Sequence, residues 1–317
     1  MRWGDKRYRT LNHYYREQFN EKIFKVSLDA GCTCPNRDGS IGYGGCTFCS
    51  ERGSGDYAGE RQASLNEQFI AVRDKMHEKW PDAKYIAYFQ AFTNTYGDIE
   101  QLRDNYYQAL EQPDVVGLAI STRPDCLSAE ILDLLTELNQ KTKLTVELGL
   151  QSIHDTTLTK INRGHDYQCF LDAVAALNER NIEIVVHIIL NLPGETEEDM
   201  LQTAHAVAEL PIQGIKIHML HLLANTPLVK QYERGEFAFM SRARYVELVV
   251  DILEILPSSL VIHRLTGDGP LMLLIEPLWT LKKWEVLNAI DDELVKRDSW
   301  QGKHFIASAS QPQSEYI

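Results

Sequence analysis

Six apolar, β-rich runs alternate with amphipathic stretches of helical period, and that alternation leaves the chain few folds. The runs are Ile23–Leu28, Tyr85–Phe92, Val115–Ser121, Leu144–Leu150, Ile182–Leu190 and Ile215–Leu220, with a weaker one at Leu260–His263. Between them lie Leu65–Trp80, Ile99–Gln112, Ala129–Asn139, Tyr167–Glu179 and Glu197–Glu209. Strands that are apolar on both faces belong to a parallel sheet covered by helices. Crossovers of this length predict right-handed βαβ units. Six units are too few for a closed eight-fold barrel. The expected fold is therefore α/β, a partial (βα)6 TIM-like barrel of parallel strands over residues 23–230. A basic aromatic extension, 1–22, precedes it, and an extension over 231–317 follows and closes the barrel mouth. In that second extension Tyr245–Leu256 reads as a helix, Gly267-Asp268-Gly269-Pro270 as a turn and Lys282–Val295 as a terminal helix. The tail from Ser308 reads as frayed.

The 317 residues, 44% of them hydrophobic, suffice for one barrel-sized core. No stretch approaches the roughly 18 uncharged apolar residues of a membrane span. The opening Met1-Arg2-Trp3-Gly4-Asp5-Lys6-Arg7 lacks the apolar centre of a signal peptide. A cytoplasmic location follows, and structural disulfides are not expected there. Net charge is −13, which disfavours indiscriminate nucleic-acid binding. Residues 1–25 nevertheless hold seven Lys or Arg against three acids, a balance of +4 that leaves −17 for the remainder. Trp3, Tyr8, Tyr14, Tyr15 and Phe19 lie among those bases. Two readings of the segment stand: a phosphate-gripping, base-stacking arm, or an amphipathic helix lying on the protein body.

Four of the six cysteines fall between positions 32 and 49. Cys34, eleven residues, then Cys46-Thr47-Phe48-Cys49 presents three close thiolates in a loop carrying Gly39, Gly42, Gly44 and Gly45. Three such ligands hold three corners of a 4Fe–4S cluster and leave the fourth iron open for chemistry. The loop directly follows the first strand, at the carboxyl end where α/β barrels keep their active sites. The alternative is a closed zinc tetrahedron that adds Cys32, in a non-enzymatic binding module. Its first pair, Cys32-x-Cys34, is a poor zinc knuckle. Cys126 and Cys169 read as ordinary buried thiols.

Beyond the cysteines, motifs close successive strands in order. They are Ser121-Thr122-Arg123-Pro124-Asp125, Glu147-Leu148-Gly149-Leu150-Gln151-Ser152 with Asn162-Arg163-Gly164-His165, Asn191-Leu192-Pro193-Gly194-Glu195, and Lys216-Ile217-His218. With these blocks the chain resembles the radical SAM superfamily over about residues 20–225. Its core is similar to that of the elongator catalytic subunit, a tRNA uridine-modifying enzyme, and to oxygen-independent coproporphyrinogen oxidase. The opening Thr33-Cys34-Pro35-Asn36-Arg37-Asp38-Gly39 resembles the bacterial YtqA/YhcC-type group, a likeness that extends over nearly the whole chain. That group ends without an acetyltransferase domain, so acetyl transfer is not expected.

The resemblance implies a 4Fe–4S cluster on Cys34, Cys46 and Cys49, with S-adenosylmethionine (SAM) as second cofactor. It implies reductive cleavage of SAM to a 5′-deoxyadenosyl radical that abstracts a substrate hydrogen, with a flavodoxin or ferredoxin as reductant. Among the cofactor-binding residues it implies Phe48 against adenine, Gln151 at the ribose, Arg163 at the methionine carboxylate and Asn191 in the adenine-side turn. Two departures concern the methionine amino group. Position 121 is Ser where the relatives place Glu, and the second strand ends Gln90-Ala91-Phe92-Thr93-Asn94 rather than Gly-Gly-Glu. Gln90, Ser121, Thr93 and Asn94 are the available polar groups. The substrate is a tRNA or RNA base on the elongator likeness, or a small metabolite on the acidic charge.

Period-two geometry puts Glu147, Gly149 and Gln151 on one strand face. Glu147 is an active-site acid if that face points inward and a salt-bridged surface group otherwise. Lys216 and His218 share a face, with His221 opposite if the strand continues. His187, His218 and His221, in apolar strands, read as hydrogen-bonded core residues. The catalytic candidates are Glu147, Lys216, His218 and Arg264, the last in a polar stretch placed to close the mouth over substrate.

Overall fold

The structure is a computed structural model that describes residues 1–306. The tail from Ser308 lies outside the described residues. In chain order the elements are α1 (Leu11–Phe19), β1 (Ile23–Leu28), α2 (Leu65–His77), β2 (Lys84–Phe89), α3 (Ile99–Leu110), β3 (Val115–Thr122), α4 (Ala129–Lys141), β4 (Lys143–Gln151), α5 (Asp155–Lys160), α6 (Tyr167–Asn178), β5 (Glu183–Leu190), α7 (Glu197–Ala208), β6 (Gly214–Met219), β7 (Leu222–Leu223), α8 (Leu228–Glu233), α9 (Arg242–Ile255), β8 (Val261–Arg264), β9 (Leu274–Glu276) and α10 (Lys283–Lys296).

One parallel sheet runs β1-β2-β3-β4-β5-β6-β8 and curls into a half-barrel. The six strong runs are its first six strands, and the weak run at Leu260–His263 supplies a seventh beside β6. Strand interiors such as Val26, Phe89, Leu118, Val146 and Val186 are fully buried, as a sheet covered on both faces requires. Side-chain caps start the helices. Ser64, Asp98, Ser128, Asp166, Thr196 and Ser241 each accept a first-turn backbone N–H, worth about 1 kcal/mol apiece. The second run stops at Phe89 rather than Phe92, because the chain turns out of the sheet and Phe92 takes φ +63°. No described helix is long and apolar enough to cross a membrane.

An open half-barrel leaves a seam between its edge strands, β1 and β8. The N-terminal segment occupies one end of it. Thr10 caps α1, and Asn20, at φ 55°, ends it. The N–H of Ile262 in β8 donates to the carbonyl of Arg9 at 2.7 Å. Tyr15, on the buried face of α1, packs with Ile23, Ile86, Tyr88 and Ala119 at the barrel's amino end. The bases of this segment turn to the body of the protein: Lys6 pairs with Asp291, Arg7 with Asp298 at 3.2 Å, and Arg9 donates to the carbonyl of Ser259 at 2.9 Å.

The chain beyond residue 230 is continuous with the barrel. Position 230 falls inside α8, β8 is a full member of the sheet, and α9 packs against both α7 and α10. A small antiparallel pair, β7 with β9, stands at the carboxyl end of the strands.

Candidate active site

The loop after β1 carries the cysteines, and two neighbours hold it in shape. Within the loop the N–H of Arg37 donates to the Cys34 carbonyl at 2.8 Å, and that of Gly45 to the Asn36 carbonyl at 2.8 Å. Gly44 and Gly45 both sit at φ +80°, and a Cβ on Gly45 would lie 2.7 Å from Arg37 Nε. Glycine is therefore the residue that lets the chain double back here. Outside the loop, the segment after α5 docks onto it. Thr47 N–H donates to the Ile161 carbonyl at 2.9 Å, Asn162 Nδ2 donates to the Gly45 carbonyl at 2.8 Å, and Asn36 Nδ2 donates to the Asn162 carbonyl.

This arrangement brings Cys34, Cys46 and Cys49 to the wall of one cavity of about 260 Å³ at the carboxyl ends of the strands. Arg163 reaches into the same place. Its Nη2 donates to the Gly149 carbonyl at 2.6 Å and its Nη1 lies 3.7 Å from Cys46 Sγ, while its buried Nε has no partner. Arg123, whose Nη1 donates to the Arg163 carbonyl at 2.9 Å, adds a second cation to the wall. The Cys46 thiol is held down to about 5 by the Cys49 hydrogen bond, against burial, with help from Arg163 and Arg123. Three thiols beside two guanidinium groups, one with an orphaned N–H, form a donor set that fits an anionic iron–sulfur cluster. Cys32 lies elsewhere. It packs in the hydrophobic core, where burial pushes its thiol up to about 11. The four-thiolate zinc set is thus not assembled, and no three His, Cys, Asp or Glu side chains among the described residues group as ligands for a single metal ion. Cys126 and Cys169 are half-buried rather than buried.

Deeper in the barrel, six consecutive strands each direct a polar side chain inward; five of these line the same cavity, and Lys25 reaches them from the seam side. Lys25 of β1, Tyr88 of β2, Ser121 of β3, Glu147 of β4, His187 of β5 and Lys216 of β6 meet around the Glu147 carboxylate. Lys25 Nζ donates to Oε1 at 2.6 Å. Tyr88 OH donates to Oε2 at 2.6 Å, Ser121 Oγ at 3.2 Å and Lys216 Nζ also, with His187 Nε2 at 2.9 Å. Register explains the convergence: Ser121 pairs with Glu147 across β3/β4, and His187 with Lys216 across β5/β6. Glu147 is therefore an inward, fully ion-paired group. Burial would raise its carboxyl, but Lys216 and Lys25 hold it well below the usual range. Burial pushes Lys216 down to about 7 against the pull of Glu147. His187 falls to about 4, through burial and then Lys216.

The remaining residues singled out in the sequence separate clearly. Phe48, Gln90, Ser121, Gln151, Arg163, His218 and Arg264 line the cavity. Gln90 spends its amide on the Ser54 carbonyl at 2.9 Å. Gln151 sits at φ 78°, at the irregular end of β4. Asn191 stands apart from the cavity. Its Nδ2 donates to the Ala238 carbonyl at 3.0 Å and its Oδ1 accepts from Met240 N–H at 2.7 Å. His218 and His221 are not the hydrogen-bonded core residues expected: each has a buried Nε2 without a partner. Nor do they lie on opposite faces. β6 ends at Met219 and the chain turns, so both line the cavity. Arg264 makes no hydrogen bond or ion pair among the described residues. Asp268 and Pro270 also reach the wall, where Tyr57 OH donates to the Gly269 carbonyl at 2.8 Å. Sequence reasoning missed Lys25, Tyr88 and Arg123. Lys25 carried a signal, a lone cation inside an apolar strand run.

The Radical SAM superfamily profile matches residues 34–207, more than half of the chain, and the Radical_SAM C-terminal domain profile matches 212–296. The chain belongs to the radical SAM superfamily. This member is 54% identical over 301 residues to the uncharacterized protein YtqA of Bacillus subtilis, covering 95% of this chain and 94% of that one. It is 36% identical over 275 residues to protein YhcC of Escherichia coli K12, covering 86% and 88%. More distantly, 167 residues are 27% identical to a tRNA uridine(34) acetyltransferase of Methanocaldococcus infernus, covering 51% of this chain and 30% of that one. The fold matches the archaeal Methanocaldococcus infernus Elp3 with a TM-score of 0.66 at 18% identity, covering 89% of this chain and 64% of that one.

Proposed function

We propose that this radical SAM superfamily member is an enzyme that reductively cleaves SAM at a 4Fe–4S cluster and abstracts a hydrogen atom from a tRNA base. The observation that carries the reading is the convergence of Cys34, Cys46 and Cys49 on one cavity beside Arg163. A cluster held by Cys34, Cys46 and Cys49 would supply the one-electron reduction that cleavage of SAM requires.

The chain's own residues bind, orient and exclude water. Cys34, Cys46 and Cys49 hold the cluster. Arg163 offers a planar fork to the methionine carboxylate, Gln151 is placed for the ribose, and Phe48 gives adenine an apolar face. With Glu147 already saturated by Lys25, Tyr88, Ser121 and Lys216, the amino-group contacts fall to Gln90 and Thr93, which share the wall. Lys216, buried at the cavity floor and readily shed of its proton, is the group suited to hold or release one near neutral pH. A flavodoxin or ferredoxin would supply the electron. The tRNA part is supported by the distant sequence likeness to the archaeal tRNA uridine enzyme.

A small-metabolite substrate is the second reading. It is favoured by the engagement of Lys6, Arg7 and Arg9 with partners on the protein itself, which withdraws three of the segment's bases from a phosphate backbone.

The test is anaerobic reconstitution with iron and sulfide, then dithionite and SAM, with detection of 5′-deoxyadenosine by mass spectrometry. Its formation is the expected result; a protein that binds no iron–sulfur cluster would sink the proposal.

A further inference from the structure

A second cavity of about 600 Å³ lies in the seam of the half-barrel. Its walls come from both edge strands, β1 and β8, and from the buried side of α1. Tyr88, Gln90, Lys216 and Arg264 line this chamber and the cysteine cavity alike, so the two spaces meet at those four residues.

The chamber's charge runs against that of the chain. Five cations line it, Lys22, Lys25, Lys216, Arg264 and Lys283, and no Asp or Glu does, although the protein as a whole carries −13. Two carboxylates reach these cations from outside the lining. Glu147 engages Lys25 and Lys216, and Asp268 engages Lys283 at 2.7 Å. Five cations against two carboxylates leave a surplus of two to three positive charges, depending on whether Lys216 is protonated. Lys22 donates only to the neutral amide oxygen of Asn12, at 2.6 Å. Arg264, a half-buried guanidinium, has no partner among the described residues. Its charge is felt at the junction: beside burial it depresses His218, and at His221 it opposes the upward pull of Asp268.

A half-buried arginine without a counter-ion, flanked by lysines in a chamber larger than the cofactor cavity, is arranged to receive an anion from solution. A surplus above one charge suits a dianion better than a single carboxylate. We infer that the seam chamber is the substrate's seat and that its surplus positive charge, with the unpartnered Arg264 guanidinium at the junction, binds a phosphate group of the substrate, leaving the reacting part beside the cysteine cavity. This rests on the radical SAM reading above and deepens it by naming the charge and site of the substrate. The phosphate belongs either to a free phosphorylated metabolite or to a nucleotide of RNA, and the chemistry of its recognition is the same.

The test uses the full-length protein and inorganic phosphate, followed by phosphorus NMR line broadening in low-salt buffer. Saturable binding is expected, weakened at least tenfold in Arg264→Gln and clearly in Lys22→Gln. Lys22 is a separate, half-buried cation of the lining, so its variant keeps the test informative if Arg264→Gln misfolds. Arg234→Gln, remote from the chamber, should bind as wild type. Displacement of phosphate by a nucleoside monophosphate, but not by an RNA stem–loop, would identify a free metabolite. Displacement by the stem–loop, lost in Arg264→Gln, would identify RNA. Absence of phosphate binding, or binding equal in wild type and both chamber variants, overturns the proposal. No cluster or SAM cleavage enters this readout, so its failure is distinct from failure of the radical SAM reading.

Discussion

Glu147 carries the largest electrostatic burden of any single residue in the cavity. Its fully buried carboxylate is stable only because Lys25, Lys216, Tyr88, Ser121 and His187 surround it. Removing one partner of such a pair strands the other charge in a poorly solvated place. Glu147→Gln, which keeps the shape, should therefore cost roughly 3–5 kcal/mol, read as a lower urea midpoint at constant slope. Lys216 gives a pH signature. Its folded pKa, about 7, lies below its usual 10.5, so the unfolded chain binds more protons between those values. Stability from this group must then rise with pH from 7 upward, and the rise between pH 7 and 8.5 should be smaller in Lys216→Met than in wild type. At the cysteines, Cys34→Ala, Cys46→Ala and Cys49→Ala should each abolish iron retention after anaerobic reconstitution. Cys32→Ala should retain it, with a packing loss of about 1 kcal/mol.

At the scale of elements, two placements matter most: the end of β4 and the position of α1. Gly149 lies where the Arg163 side chain crosses β4, and a Cβ there would come within 2.6 Å of Arg163 Nη2 and 2.8 Å of Gln151 Nε2. Gly149→Ala should displace both groups and weaken SAM binding to the reconstituted protein at least tenfold, measured by equilibrium dialysis, while thermal stability falls little. Helix α1 was legible as amphipathic, but its destination was not. Nothing local in its sequence says that Tyr15 will fill the amino end of the barrel. Tyr15→Ala should cost roughly 3 kcal/mol, because the hole opens in a packed cluster of Ile23, Ile86, Tyr88 and Ala119. Strand and helix positions were read to within a few residues because period and apolar character are local. The ends were less well read. β2 stops where the chain needs φ +63° at Phe92, and β6 stops at Met219, which brings His221 to the same cavity as His218.

Over the whole molecule, charge is the discriminating quantity. A protein of net −13 that binds tRNA must do so through a localised basic surface. If tRNA is the substrate, its affinity should fall steeply between low and moderate salt, and the slope should flatten in a variant with Lys22 and Arg264 neutralised. Neutralising Lys6, Arg7 and Arg9 together should change the slope less, because these bases already face Asp291, Asp298 and Ser259. Filter binding across a salt series separates the two. The sequence by itself determined the parallel α/β architecture, the cysteine loop and its place at the end of the first strand, because period, apolar runs and spacing are properties of neighbouring residues. It also marked Gln151 and Arg163 through the family resemblance of their motifs, and Lys216 as a polar residue within the sixth apolar run. Only the tertiary structure decided which way Glu147 faces, that Tyr88 and Arg123 join the cavity, and that Lys25 reaches Glu147 from the seam beside it. It alone removed Cys32 and Asn191 from the cavity and opened a basic chamber between the sheet's two edges. Those outcomes depend on strand register and on how far the sheet curls, which are set by contacts between residues more than a hundred positions apart, such as Lys25 with Glu147 and Tyr88 with Lys216.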